Sequence, residues 1–266
     1  MKLGLIHYRA PGDTVEDFLK WTAETGFDCC ELMWRDLEPE GCDDVKANTA
    51  CIRQVADDLG LEIAALSLGN DFVLLNDGAI AAQVERAKKF AELAHILGCH
   101  IFRTEGGQPK EAVPEDQHAA AIIKSVEAAL PMCEEMDMYL AIDNHGVVSN
   151  DHKVMMAVLE HFEHPRVGTN LDTMNYRWFG YSVDELPDIY EAVAPYVLST
   201  HMKDGTNSRP NYVGAALGDG EIPLQAAVAA LKKNGYEGPW HAEYEGKEDG
   251  AIGYKKCLDW MRANIA

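Results

Sequence analysis

Residues 196–205 read YVLSTHMKDG, and the change of character midway through this stretch decides the architecture. Tyr196 to Thr200 are aromatic, aliphatic and hydroxylated residues suited to a buried, pleated backbone. At His201, Lys203 and Asp204 the chain turns abruptly polar before Gly205. A buried strand that ends this way delivers polar groups to the rim of a sheet. His201 and Lys203 are two residues apart, so they project from one face.

On either side of this stretch, short apolar runs alternate with longer amphipathic ones. The expected strands are Lys2–His7, Phe27–Met33, Leu61–Ser67, Cys99–Thr104, Met138–Asp143, Arg166–Asp172, Tyr196–His201 and Pro239–Glu243. Helices are expected between them, at Thr14–Thr25, within Asp43–Leu59, near Ala79–Leu97, at Glu115–Met136, and near Asp151–Phe162, Val183–Ala194 and Leu224–Asn234. A last one falls near Gly253–Asn264. Pro131 is expected to kink or interrupt the fourth of these. Gly26, Gly60, Gly98 and Gly235 mark helix ends handing over to the next strand. Regular alternation implies parallel strands joined by right-handed crossovers. Eight such units in 266 residues predict an α/β fold, a single (β/α)8 barrel spanning 1–266 as one domain. The main irregular segment, Asp204 to Gly220, follows the seventh strand on the face where barrel active sites lie, so it is placed to cover a site.

Composition narrows the function classes. The formal net charge is −21. Such a surface repels phosphate backbones and argues against nucleic acid as a partner. Seven cysteines, an odd number with no CxxC pair, read as reduced thiols and not as a disulfide frame or zinc knuckle. No apolar run reaches membrane length, which argues against a membrane partner. The N-terminal stretch turns polar too soon for a signal peptide. The expected location is therefore cytoplasmic.

Four expected strands end in metal-ligating side chains: Asp143, Asp172, His201 and Glu243. Their separations of 29, 29 and 42 residues are each about one strand–helix unit, so the four side chains should meet at the mouth of adjacent strands. Three carboxylates and an imidazole that close repel strongly if left unpaired. A divalent cation resolves this. Ligands rich in oxygen with one nitrogen favour Mn2+, with Mg2+, Co2+, Zn2+ or Fe2+ as alternatives.

The segments LAIDNHG (140–146), VGTNLDT (167–173), HMKDG (201–205), GDGEIPLQAAVAALKKNGYEG (218–238) and HAEYEG (241–246) resemble the sugar-phosphate isomerase/epimerase superfamily of xylose-isomerase-like barrels. SLGNDF (67–72) and the first strand also fit it, so the resemblance covers most of the chain. It implies one divalent metal held by Asp143, Asp172, His201 and Glu243. Two positions depart from the pattern. Asp143 stands where the family usually has Glu. Asn175 stands where ketose 3-epimerases carry His. DNHG is similar to a branch of the superfamily with ENHGG at this point. Barrels of this family often pair, so a homo-oligomer is compatible with the resemblance.

The chemistry expected of such a site is isomerisation or epimerisation of a sugar or keto-sugar. A metal bridging a carbonyl and its neighbouring hydroxyl acidifies the carbon-bound proton and stabilises the enediolate. Glu243 is the expected base on one face, and Asp143 or His145 acts on the other. A histidine suits proton transfer at neutral pH. Lys203 either binds a substrate oxyanion or pairs with the acidic rim. Arg103 and Glu105 either grip hydroxyls or form a local ion pair. His7, Glu31 and Asn175 are further candidate substrate contacts. The same first step followed by loss of a β-leaving group would make the enzyme a lyase, such as an inosose-type dehydratase or a cleaver of 3-keto-glycosides. Two other classes remain. Phosphodiester cleavage needs a metal cluster richer in His and a basic groove. A catalytically silent partner subunit is favoured only by the short Asp143.

Overall fold

The computed structural model describes residues 1–265. Its strands are β1 (Leu3–Ile6), β2 (Cys29–Met33), β3 (Glu62–Ser67), β4 (Ile101–Glu105), β5 (Tyr139–Asp143), β6 (Val167–Asp172), β7 (Val197–Met202), β8 (Asp204–Thr206), β9 (Val213–Ala215) and β10 (Trp240–Ala242). β1 to β7 and β10 close into a barrel in which each strand neighbours the next, and β10 seals it against β1. All eight pairings are parallel. The protein is a (β/α)8 barrel, as the alternation of apolar and amphipathic runs predicts.

The helices are α1 (Val15–Thr25), the short α2 (Trp34–Leu37), α3 (Val45–Leu59), α4 (Asp77–Leu97), α5 (His118–Glu135), α6 (His152–His161), the short α7 (Asn175–Phe179), α8 (Leu186–Val193), α9 (Leu224–Lys233) and α10 (Gly250–Asn264). Local chemistry sets their ends. Thr14, Asp44, Asn76, Asp151 and Asp249 each accept a backbone N–H of the first turn. Gly60 and Gly98 follow α3 and α4 with φ of 66° and 71°, a left-handed conformation that glycine adopts without steric cost. Among the described residues no helix is long and apolar enough to cross a membrane.

Two expectations change. α5 runs unbroken through Pro131. Pro131 and the Glu127 whose carbonyl loses its donor both lie on the exposed face of the helix, where water can replace the missing bond. The connection after β7 is also less irregular than its composition suggests. It contains the β8–β9 antiparallel hairpin, and the buried Asp204 carboxylate organises it by accepting the backbone N–H groups of Gly205, Gly218, Gly220 and Ile222 at 2.8–3.2 Å. Arg209 then pins the loop to α7, its guanidinium lying over the rings of Trp178 and Phe179.

Two register shifts prepare the barrel mouth. One falls between Thr169 and Asn170 on β6, and brings Asp172 level with His201. The other falls between Cys30 and Glu31 on β2. In each case the extra residue lies on the partner strand, Leu198 on β7 and Ala64 on β3, where it re-aims the side chains that follow it, among them His201 and Ser67.

Candidate metal centre at the barrel mouth

The strand ends carry five carboxylates to the mouth: Glu31, Asp143, Asp172, Glu243 and Glu245. Arg103, Lys203 and His201 pair with them. Most of these groups are almost wholly buried. Period two explains the convergence. Ser199, His201 and Lys203 continue one face of β7, and His241, Glu243 and Glu245 continue one face of β10.

Arg103 organises one side. Its Nε donates to Glu31 Oε1 at 2.6 Å, Nη1 to Asp143 Oδ2 at 2.8 Å and Nη2 to Ser67 Oγ at 2.8 Å. Its partners are therefore Glu31 and Asp143, not the neighbouring Glu105. Asp143 is held a second time by Asn170, whose Nδ2 donates to Oδ1 at 2.8 Å. Both carboxylate oxygens of Asp143 are thus engaged.

The other side is built on Asp172, His201 and Glu243. Each offers one ligand atom, and these atoms lie within 4.8 Å of one another. Asp172 Oδ1 accepts the backbone N–H groups of Met174 and Asn175 at 2.8 and 3.0 Å. Its other oxygen, Oδ2, is buried without a hydrogen bond. His201 Nε2 meets Glu31 Oε2 at 3.0 Å. Its Nδ1 lies 2.9 Å from Glu243 Oε2 but out of line for a hydrogen bond. A histidine that donates one ring N–H to a carboxylate and turns the other nitrogen inward has the arrangement of a metal ligand with its orienting partner. The residues present therefore fit a divalent cation. Three of the four expected ligands come together, and Asp143 stands outside the group on Arg103 and Asn170.

The electrostatics follow from burial and pairing. Burial pushes Asp172 up, Lys203 only partly offsets it, and its carboxyl is raised to about 7. Burial also opposes ionisation of Glu31, yet His201 and Arg103 outweigh it and hold that carboxyl at about 2. His201 resists burial through Glu31 and Glu243 and is raised to about 10. Against its own burial, Glu243 is held well below the carboxylate range by Lys203 and His201. In the protein alone, then, the repulsion among the carboxylates is relieved by an arginine, a lysine and a protonated histidine.

The remaining expected residues are dispersed. His145 is half exposed, its Nδ1 3.9 Å from Asp143 Oδ2. The Asn175 side chain is buried and donates to the Asn144 carbonyl at 2.9 Å. His7 stacks on Phe18, faces Asp36 at 3.0 Å, and lines a separate cavity with Arg35. Glu31, by contrast, is fully buried within the cluster, between Arg103 and His201. Sequence reading missed Asn170, Ser67, His241 and Glu245. Of these, Glu245 and His241 were signalled by their two-residue spacing from Glu243, and Asn170 by its spacing from Asp172. His241 is level with His201 and, because it is buried, is lowered to about 4.

A sequence model described as a xylose isomerase-like TIM barrel matches residues 19–264 of the chain. No curated protein matches it. Among solved structures, a xylose isomerase-like TIM barrel/4-hydroxyphenylpyruvate dioxygenase fusion protein is 18% identical with a TM-score of 0.79, over 99% of this chain. The chain spans 43% of that fusion protein's length. A D-psicose 3-epimerase structure is 16% identical with a TM-score of 0.78, over 100% of this chain and 99% of the other. A probable 3-DHS dehydratase from Bacillus anthracis is 17% identical with a TM-score of 0.76, over 100% of both chains.

Proposed function

The chain belongs to the xylose isomerase-like TIM barrel family, and from that premise we propose that it is a divalent-metal-dependent isomerase or epimerase of a sugar or keto-sugar. One observation carries the reading. Asp172 Oδ2 and His201 Nδ1 are buried and without hydrogen bonds beside Glu243, at the mouth where barrel enzymes work. Two carboxylates and one imidazole make Mn2+ the cation proposed first, with Mg2+, Co2+ or Zn2+ as alternatives. A divalent cation there supplies the positive charge that acidifies a proton on the carbon next to a substrate carbonyl.

The chain's own residues do the rest. Glu31 orients the His201 ring through Nε2. Glu243, kept ionised by Lys203 and His201, is the group that accepts the carbon-bound proton. For the other face the candidates are Asp143 and His145, 3.9 Å apart, and the half-exposed imidazole is assigned the return of the proton. Seven cysteines without a disulfide support a cytoplasmic location in this reading. A small sugar, not nucleic acid, is its partner in this reading, on its charge of −21.

A second reading, a lyase acting through the same first step, is favoured by Asn175. Its amide is committed to the Asn144 carbonyl, so this position supplies no acid or base to the far face. An intermediate that is not reprotonated there expels a β-leaving group instead.

The test is solvent exchange. Mn2+-loaded protein in D2O is incubated with ketoses, inososes and 3-keto-glycosides and followed by NMR. Deuterium should enter at a carbon beside a carbonyl, and Glu243→Gln should abolish it. Product mass then separates isomerase from lyase. A metal-loaded protein that exchanges no substrate would sink both readings.

A further inference from the structure

Lys203 is a buried lysine that shares its carboxylates with the candidate metal centre. Its Nζ lies 2.9 Å from Glu243 Oε1 and 3.6 Å from Asp172 Oδ2, and both residues belong to the ligand group. The third carboxylate around it does not. Glu245 Oε2 is 3.0 Å from Nζ and also accepts from the hydroxyl of Tyr212, in the loop of the β8–β9 hairpin, at 2.7 Å. The Glu245 side chain is 19% exposed, more than Asp172 or Glu243, so it stands on the outward side of the cluster.

An ammonium and a divalent cation that both seek the same two carboxylates repel each other. The repulsion favours withdrawal of the ammonium, and the geometry provides for this. The backbone of Lys203 is clamped on both sides by Thr173, whose Oγ accepts from Lys203 N at 2.9 Å and donates to Lys203 O at 2.7 Å. Any movement therefore lies in the side chain. That side chain is a point charge on a flexible four-carbon stem, already within bonding distance of an acceptor outside the metal group.

We propose that Lys203 is a built-in counter-cation that occupies the metal's carboxylates in the metal-free protein, and that Glu245, steadied by Tyr212, is the station that takes up its ammonium when a divalent cation binds. The proposal rests on the metal reading above. It assigns Glu245 and Tyr212 a role as positioning residues acting through Lys203. It also links the state of the centre to the hairpin, because the retreating ammonium tightens on a carboxylate that the Tyr212 hydroxyl holds.

The experiment is calorimetric titration of Mn2+ into metal-stripped wild type, Lys203→Met, Glu245→Gln and the double variant, each checked for folding by circular dichroism. Lys203→Met should bind Mn2+ more tightly, on the order of tenfold, since the repulsion from the competing ammonium is gone. Glu245→Gln should bind it more weakly, because the ammonium has lost its alternative partner. In the Lys203→Met background the Glu245 substitution should have no effect, and that non-additivity is the signature of coupling. Tyr212→Phe is the milder second variant and should weaken binding in the direction of Glu245→Gln. Equal or weaker binding by Lys203→Met, or additive effects in the double variant, would overturn the proposal and leave the metal reading standing. Failure of every variant to bind Mn2+, Lys203→Met included, would overturn both.

Discussion

Arg103 and Lys203 neutralise the same barrel mouth in opposite ways. The guanidinium of Arg103 spreads three donors over Glu31, Asp143 and Ser67, which tie β4 to β2, β5 and β3. The fork geometry suits a fixed set of acceptors, and each of the three nitrogens has one partner. Lys203 presents one nitrogen to three carboxylates, and none of the three depends on it alone. On the arginine side the charges are sealed into the fold. On the lysine side they are merely balanced, and the unbonded Asp172 Oδ2 and His201 Nδ1 face the same region. A barrel mouth can thus contain one cation that acts as a strut and another that can be exchanged.

The largest expected effect tests the strut. Arg103→Met strands two buried carboxylates, and removing one partner of such a pair costs about 3–5 kcal/mol. Urea unfolding of the metal-free protein should show that loss, and Lys203→Met should lose clearly less. Equal losses would break the comparison. The acid limb sharpens it. Glu31 is held at about 2, below its ordinary 4.5, so the stability it contributes is present above pH 4.5 and is lost as pH falls from there toward 2. Without the guanidinium the folded-state value of Glu31 moves up toward 4.5, so the loss between pH 4.5 and 2 should be smaller, while Lys203→Met should leave it unchanged.

The next effect tests the exchangeable side. At a Mn2+ concentration of 100 times Kd, wild type should gain about 2.7 kcal/mol of stability. Asp172→Asn should gain nothing. Yet its metal-free form should unfold within about 1 kcal/mol of wild type, because Asn keeps an oxygen for the Met174 and Asn175 N–H groups and removes a buried charge. If Asp172→Asn destabilised the metal-free protein as much as Arg103→Met, Asp172 would be a strut as well.

The sequence was most legible where one residue sufficed. The strand ends Asp172, His201 and Glu243 could be placed together because strand–helix spacing and period-two alternation are local properties. How the charges pair could not be read that way. The cation expected to relieve the carboxylates is a metal, with Lys203 as a rim partner only one alternative, whereas the protein itself supplies both Arg103 and Lys203. Arg103 meets Glu31 across 72 residues and Asp143 across 40, and nothing local distinguishes those partners from Glu105. The shift at Thr169 and Asn170 that sets Asp172 level with His201 has no sequence signature of its own. Glu245 was the recoverable omission, since HAEYEG places it two residues beyond Glu243.

The smallest expected change in stability is also the sharpest test of the difference between the two cations. Lys203→Arg keeps the charge, so no buried carboxylate loses its cation, and it should cost less metal-free stability than Lys203→Met. Its consequence should appear in metal binding. A guanidinium offers Glu243 and Glu245 two parallel donors at once and gives up each bond less readily than a single ammonium. The exchangeable side would then take on the character of the strut. Mn2+ affinity measured by calorimetry should fall although no ligand has been touched, and the Mn2+-dependent gain in unfolding midpoint should shrink with it. If Lys203→Arg bound Mn2+ as wild type does, the shape of the cation would be irrelevant at this position, and the contrast would reduce to which carboxylates each residue happens to reach.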